Sequence, residues 1–176
     1  EDTLSLHDAL RSVYNGDPHP GNYLFADDGT VTFLDFGCCE PIPEERWVNA
    51  VALHKAALER DEASFAKYVK ELLHTRGGEW EAMAVDFSRR CFEPIFASPF
   101  RITRPYAAGL VTRMREMGKR VRKLPKGESV PVPQGMVFMN RLQFGFYSVL
   151  ARLDVEVDYA AVEREFLDAA NLARKD

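Results

Sequence analysis

The pairing of Asp17-Pro18-His19-Pro20-Gly21-Asn22 with Asp35-Phe36-Gly37 constrains this chain more than any other feature. The first string has the pattern D-x-x-x-x-N, and Asp35 follows Asn22 by thirteen residues. The segment from Tyr23 to Leu34 reads as two short apolar strands around an Asp-Gly turn. Such a hairpin folds back on itself and returns Asp35 to the neighbourhood of Asn22. One oxygen ligand from each side can then share a magnesium ion, which takes a few protein oxygens together with phosphate oxygens. A lone Asp-Phe-Gly would be an ordinary turn, and a Pro-rich loop an ordinary connector. Joined by a hairpin of the right length, the two are hard to obtain by accident. Pro18 and Pro20 also fix two backbone torsions in the loop, and Gly21 admits close approach to a ligand.

The same strings, Asn15-Gly16-Asp17-Pro18-His19-Pro20-Gly21-Asn22 and Leu34-Asp35-Phe36-Gly37, resemble the catalytic and metal-binding loops of the AarF/UbiB family of atypical kinase-like proteins. The wider protein-kinase-like superfamily, which includes aminoglycoside and choline phosphotransferases, shares a looser H-x-D-x-x-x-x-N and D-F-G frame. The resemblance implies ATP and Mg2+ as cofactors. It makes Asp17 the catalytic-loop aspartate, and Asn22 and Asp35 the magnesium ligands, with Gly37 beside them in the cofactor-binding loop. His19 falls where ordinary protein kinases carry a lysine near the transferred phosphate. One position departs from the pattern: Asn15 stands where relatives have a histidine that supports the loop backbone. The sharp motifs cover Asn15 to Gly37; from Glu44 to about Ala170 the likeness is one of helical layout, with a looser echo from Pro131 to Leu153.

The resemblance further implies ATPase or unorthodox kinase activity connected to isoprenoid quinone metabolism, with a lipid or quinone precursor as a partner. A small-molecule phosphotransferase of the aminoglycoside or choline kinase type is the first alternative. A non-catalytic, pseudokinase-like binding module is the second. Phosphotransferases of this kind need a second lobe, with a strand lysine for the nucleotide phosphates and a helix glutamate to hold it. The family adds a Lys-x-Gly-Gln motif there. Sixteen residues precede Asp17, so that lobe is expected to be missing, and the chain is expected to be inactive without it in cis. Residues 1–10 resemble the translated read-through of a sequencing adapter and are expected to be a non-native leader. The alternative is a native helix with an incomplete stripe of Leu4, Leu6, Leu10 and Val13.

With 46% hydrophobic and 28% charged residues, 176 residues can bury one sizeable core. A net charge of −4 argues against sequence-independent nucleic-acid binding. The basic stretch Arg113 to Lys126 reads as a solvated helix end and linker, with an anionic membrane surface as the minority option. Cys38, Cys39 and Cys91 lack C-x-x-C spacing and read as free thiols in a reducing cytosol. His7, His54 and His74 are isolated, and no zinc site is expected. The expected location is cytoplasmic, with peripheral membrane association as an option.

Beyond Gly37 the pattern turns helical. Glu44-Glu45-Arg46 opens a helix carrying Trp47, Val48, Val51, Leu53 and Leu58, and Asp61 caps the next, with Phe65, Tyr68, Val69, Leu72 and Leu73 on one face. Gly77-Gly78 breaks the chain. Trp80 to Phe96 and Tyr106 to Val121 read as two helices separated by Pro99 and Pro105, and Leu124 to Pro133 reads as a loop. An apolar helix from Gln134 to Leu153 and a polar-edged one from Tyr159 to Arg174 follow. Asn140, Arg141, Gln143 and Arg152 interrupt the first of these, which favours a buried core helix over a membrane span. The expected fold is mainly α with a short β-hairpin, the C-terminal helical lobe of a protein-kinase-like fold. Residues 11–43 would hold the loops and hairpin, and residues 44–176 a helical bundle.

Overall fold

In the computed structural model, residues 13–17, 19–37, 39–125, 127 and 136–172 are described. The leader expected at residues 1–10, and most of the loop expected from Leu124 to Pro133, lie outside them. Two antiparallel ladders are nested at the start. β2 (Tyr23–Phe25) and β3 (Val31–Phe33) form the expected hairpin, in the register Tyr23↔Phe33, Leu24↔Thr32 and Phe25↔Val31. Its turn is closed by Gly29 N–H on the Ala26 carbonyl and Ala26 N–H on the Thr30 carbonyl, both at 3.0 Å. Around it lies a second ladder that the sequence does not advertise. β1 (Val13–Asn15) pairs with β4 (Cys39–Pro41), Asn15 facing Cys39. Pro41 is tolerated at the end of an edge strand because it removes only one donor.

The helical part begins with α1 (Glu44–Leu58), whose Glu44 and Glu45 place negative charge at the positive end of the helix dipole. α2 (Glu62–Leu73) is capped as expected: the Asp61 carboxylate accepts from the N–H groups of Ala63 and Ser64. Hydrogen bonding from Ser64, first through its side chain and then through its N–H, holds the Asp61 carboxyl below its ordinary pKa. α1 and α2 pack through a cluster of Leu53, Ala56, Ala57, Phe65, Val69 and Phe96. The small Ala56 and Ala57 let the helices close on Phe65, which is 0% exposed and meets Phe92 and Phe96 edge-on at 5.1 Å. His54 Nδ1 on α1 lies 2.6 Å from Glu163 Oε1, tying in α7 (Tyr159–Leu172).

The single helix expected from Trp80 to Phe96 is two: α3 (Gly78–Cys91) and the one-turn α4 (Glu93–Phe96), divided at Phe92. Pro94 is the cause. It has no N–H for the Arg90 carbonyl, and its ring cannot sit against that oxygen inside a helix. Ile95 N–H bonds Phe92 at 2.9 Å and so abandons the Cys91 carbonyl as well. Two phenols take the freed acceptors: Tyr106 donates to Arg90 O and Tyr147 to Cys91 O, each at 2.7 Å. Burial pushes both phenols above their ordinary range, so they remain donors.

Tyr106 belongs to α5 (Arg104–Val121), capped by the Thr103 hydroxyl at 3.3 Å, and Pro105 falls in its first turn instead of ahead of it. Tyr147 belongs to α6 (Met136–Leu153). The sequence predicts a buried core helix for α6; it packs against α5, and among its described side chains only Ala151 is fully buried while Met139, Phe146 and Leu153 are exposed. A short pair of β5 (Phe100–Arg101) and β6 (Glu156–Val157), also unforeseen, joins the two ends of the bundle. No helix among the described residues is long and apolar enough to cross a membrane. The described residues are mostly helical with small antiparallel pairs, in line with the expected helical lobe.

Candidate functional site

The nested ladders place the polar loops. The outer pair Asn15↔Cys39 fixes the base of both, so the loop entered through Asn15 is held by backbone pairing where relatives use a histidine. A single 3-10 turn, Pro20–Asn22, with Asn22 N–H on the His19 carbonyl at 2.9 Å, then turns Asn22 back toward Asp17. Asn22 Nδ2 donates to Asp17 Oδ2 at 2.9 Å. Leu34 N–H donates to the Asn22 carbonyl at 2.9 Å, which sets Asp35 one residue beyond the backbone partner of Asn22. The hairpin therefore joins Asp17, Asn22 and the Asp35 loop, as its length requires.

Local chemistry assigns the atoms. With its amide nitrogen on Asp17, Asn22 presents its Oδ1 on the opposite side as an oxygen donor. Asp35 Oδ1 accepts from Gly37 N–H at 2.7 Å, and a Cβ at Gly37 would stand 3.1 Å from that oxygen. Glycine is what lets the backbone turn under the carboxylate. Asn22 and Asp35 thus offer hard oxygen atoms, the donor set that suits magnesium supplemented by phosphate oxygens and water. Among the described residues, no cluster of three or more His, Cys, Asp or Glu side chains could hold a metal by itself.

His19 is exposed, and its Nδ1 accepts from Gly21 N–H at 3.1 Å. In the neutral ring this leaves Nε2 as the protonated nitrogen, a donor available to an anion. A Cβ at Gly21 would come within 3.0 Å of Nδ1, so this contact also needs glycine. Tyr23 O–H donates to the Asp17 carbonyl at 3.4 Å; burial and the neighbouring Asp17 charge push its phenol up. Cys39 is half-buried near the loop, whereas Cys91 is buried far along the chain with its thiol pushed up to about 12.

One residue of the site was not foreseen. Arg141, on α6, donates through Nη2 to Asp17 Oδ1 at 3.1 Å across 124 positions of sequence. The only signal for it was an arginine interrupting an otherwise apolar helix, which reads equally as a surface charge.

Residues 7–69 match the ABC1 atypical kinase-like domain. This segment carries Asp17, His19, Asn22, Asp35 and Gly37, whose strings resemble AarF/UbiB loops, and it takes in residues 7–10 of the expected leader. The chain is also similar to the protein Activity of bc1 complex kinase 3, chloroplastic, of Arabidopsis thaliana. The identity is 35% over 74 residues, 42% of this chain and 8% of that protein. The matched region thus spans a small fraction of the length of that relative. Arg141 lies beyond the matched ABC1 segment.

Proposed function

We propose that this chain supplies the metal- and acceptor-facing half of an ATP-dependent phosphotransferase or ATPase of the atypical kinase type. The observation that carries this is the Asn22 Nδ2 to Asp17 Oδ2 bond, which couples the expected base to the expected metal ligand and turns the Asn22 oxygen outward. Asn22 Oδ1 and the Asp35 carboxylate would hold magnesium. Magnesium-ATP, when bound, supplies the phosphoryl group and offsets its charge. Asp17 orients an acceptor hydroxyl or water by taking its hydrogen bond, and then its proton. His19 Nε2–H stabilises negative charge at the terminal phosphate. Phosphoryl transfer depends mainly on positioning and charge, so each of these roles is geometric.

The exposed apolar residues of the hairpin and of the loop that follows it fit the same proposal. Leu24, Phe25, Val31, Phe33, Leu34 and Phe36 are all exposed, Phe25 to 76%. Apolar surface gathered beside a polar site is what a nucleotide-binding lobe in cis would cover. The link to isoprenoid quinone metabolism rests on the AarF/UbiB resemblance. The amine-alcohol and aminoglycoside alternative finds no support in the groove between α5 and α6, whose charged lining residues are Arg104 and Arg152. In the full-length protein, Asp35→Ala and Asn22→Ala are each expected to abolish ATP turnover. Turnover retained in both would overturn the proposal.

A further inference from the structure

We propose that Arg141 is the positioning residue for Asp17, and that α6 is the element through which the helical bundle sets the angle of that carboxylate. This rests on the phosphotransferase reading of the site. The two oxygens of Asp17 are divided between two parts of the molecule. Oδ2 is held by Asn22, five residues along the same loop, and Oδ1 by Arg141 from the bundle. A bond from the bundle, added to the bonds made within the loop, restrains the plane of the carboxylate against an element distant in sequence.

α6 is indexed for that task. Tyr147 and Gln143 both donate to the Cys91 carbonyl, at 2.7 and 3.4 Å, and Phe144 meets Phe87 at 6.3 Å, so the helix is pinned to α3. Its other contact with the site is Phe146, whose ring lies 6.3 Å from that of Tyr23. Tyr23 in turn donates to the Asp17 carbonyl. Arg141 grips the side chain of Asp17 while Phe146 backs the residue that holds its main chain.

Magnitude separates positioning from stability. The Arg141 side chain is 57% exposed and that of Asp17 23%, and exposed ion pairs contribute little to folding. Loss of Arg141 should therefore leave the melting temperature close to that of the wild type. A small misplacement of a catalytic group, by contrast, can cost about 100-fold in rate.

The test uses the full-length protein, with kcat and KM for ATP measured alongside the melting temperature. Arg141→Met should lower kcat by about 10- to 100-fold with KM and melting temperature nearly unchanged. Arg141→Lys, which keeps the charge and shortens the reach, should retain part of the rate and covers the case in which Arg141→Met fails to fold. Added guanidinium should restore activity to Arg141→Ala, a response that a merely structural role would not give. An unchanged or raised kcat in Arg141→Met, with Asp17→Asn and Asp35→Ala inactive, would overturn the role of Arg141 and leave the phosphotransferase reading standing. Full activity in Asp17→Asn and Asp35→Ala would overturn both.

Discussion

The ladder region, residues 13–41, and the helical bundle, residues 44–172, solve different problems with similar side chains. Phe65 in the bundle is 0% exposed, and Phe25 in the hairpin is 76% exposed. The bundle buries Phe65, Trp80 and Phe96 among helices and carries the main core cluster in α1, α2 and α4. The ladders bury little; two-stranded antiparallel pairs are marginal by themselves. What they provide is register: backbone pairing at Asn15↔Cys39 and Tyr23↔Phe33 holds the Asp17 and Asp35 loops together. The core cluster lies in one region and the proposed site in the other, with Arg141 and Phe146 of α6 as contacts between them.

That division can be broken by experiment. The largest effect belongs to Phe65→Ala, which empties the middle of the aromatic cluster and should cost about 3 to 5 kcal/mol in urea denaturation. Magnesium-dependent nucleotide binding should survive for as long as the protein is folded. If binding fails while the fold persists, the two regions are not separable. Next, Tyr147→Phe leaves the Cys91 carbonyl without its shortest bond and should cost about 1 to 3 kcal/mol. Because Tyr147 also pins α6, the same variant should lower turnover, sharpening the picture of α6 as the link. A stability loss with turnover intact would confine Tyr147 to the bundle.

The smallest effect is a pH dependence. Burial raises the Cys91 thiol from its ordinary 9.0 to about 12. Above pH 9 the unfolded chain releases this proton while the folded chain keeps it, so the unfolded state binds fewer protons and stability falls as pH rises toward 12. Tyr106 and Tyr147, raised by burial, act in the same direction at higher pH. Stability measured between pH 8 and 11, on the order of this window, should decline, and Cys91→Ala should flatten the early part of the decline. An equal slope in both proteins would show that the thiol is not the cause.

The hairpin, the Asp61 cap and most helix positions were legible because each rests on local chemistry: an Asp-Gly turn between apolar runs, a carboxylate ahead of free N–H groups, a repeating apolar face. The outer ladder was not, because Val13-Tyr14-Asn15 and Cys39-Glu40-Pro41 are too short to show alternation and pair across the whole hairpin. The break at Phe92 had a local signal in Pro94, but its stability depends on phenols from α5 and α6. The Asp17 to Arg141 pair is purely tertiary. In the candidate site, spacing identified the loop residues, and the bundle's contribution emerged only with the packing of α6.

The most direct test of the central claim is manganese binding by the full-length protein, read by electron paramagnetic resonance with and without a non-hydrolysable ATP analogue. Nucleotide-dependent binding that is lost in both Asn22→Ala and Asp35→Ala, with melting temperatures unchanged, is the expected result. Binding of undiminished affinity in both variants would contradict the account, because the two loops that the hairpin joins would then not hold the metal.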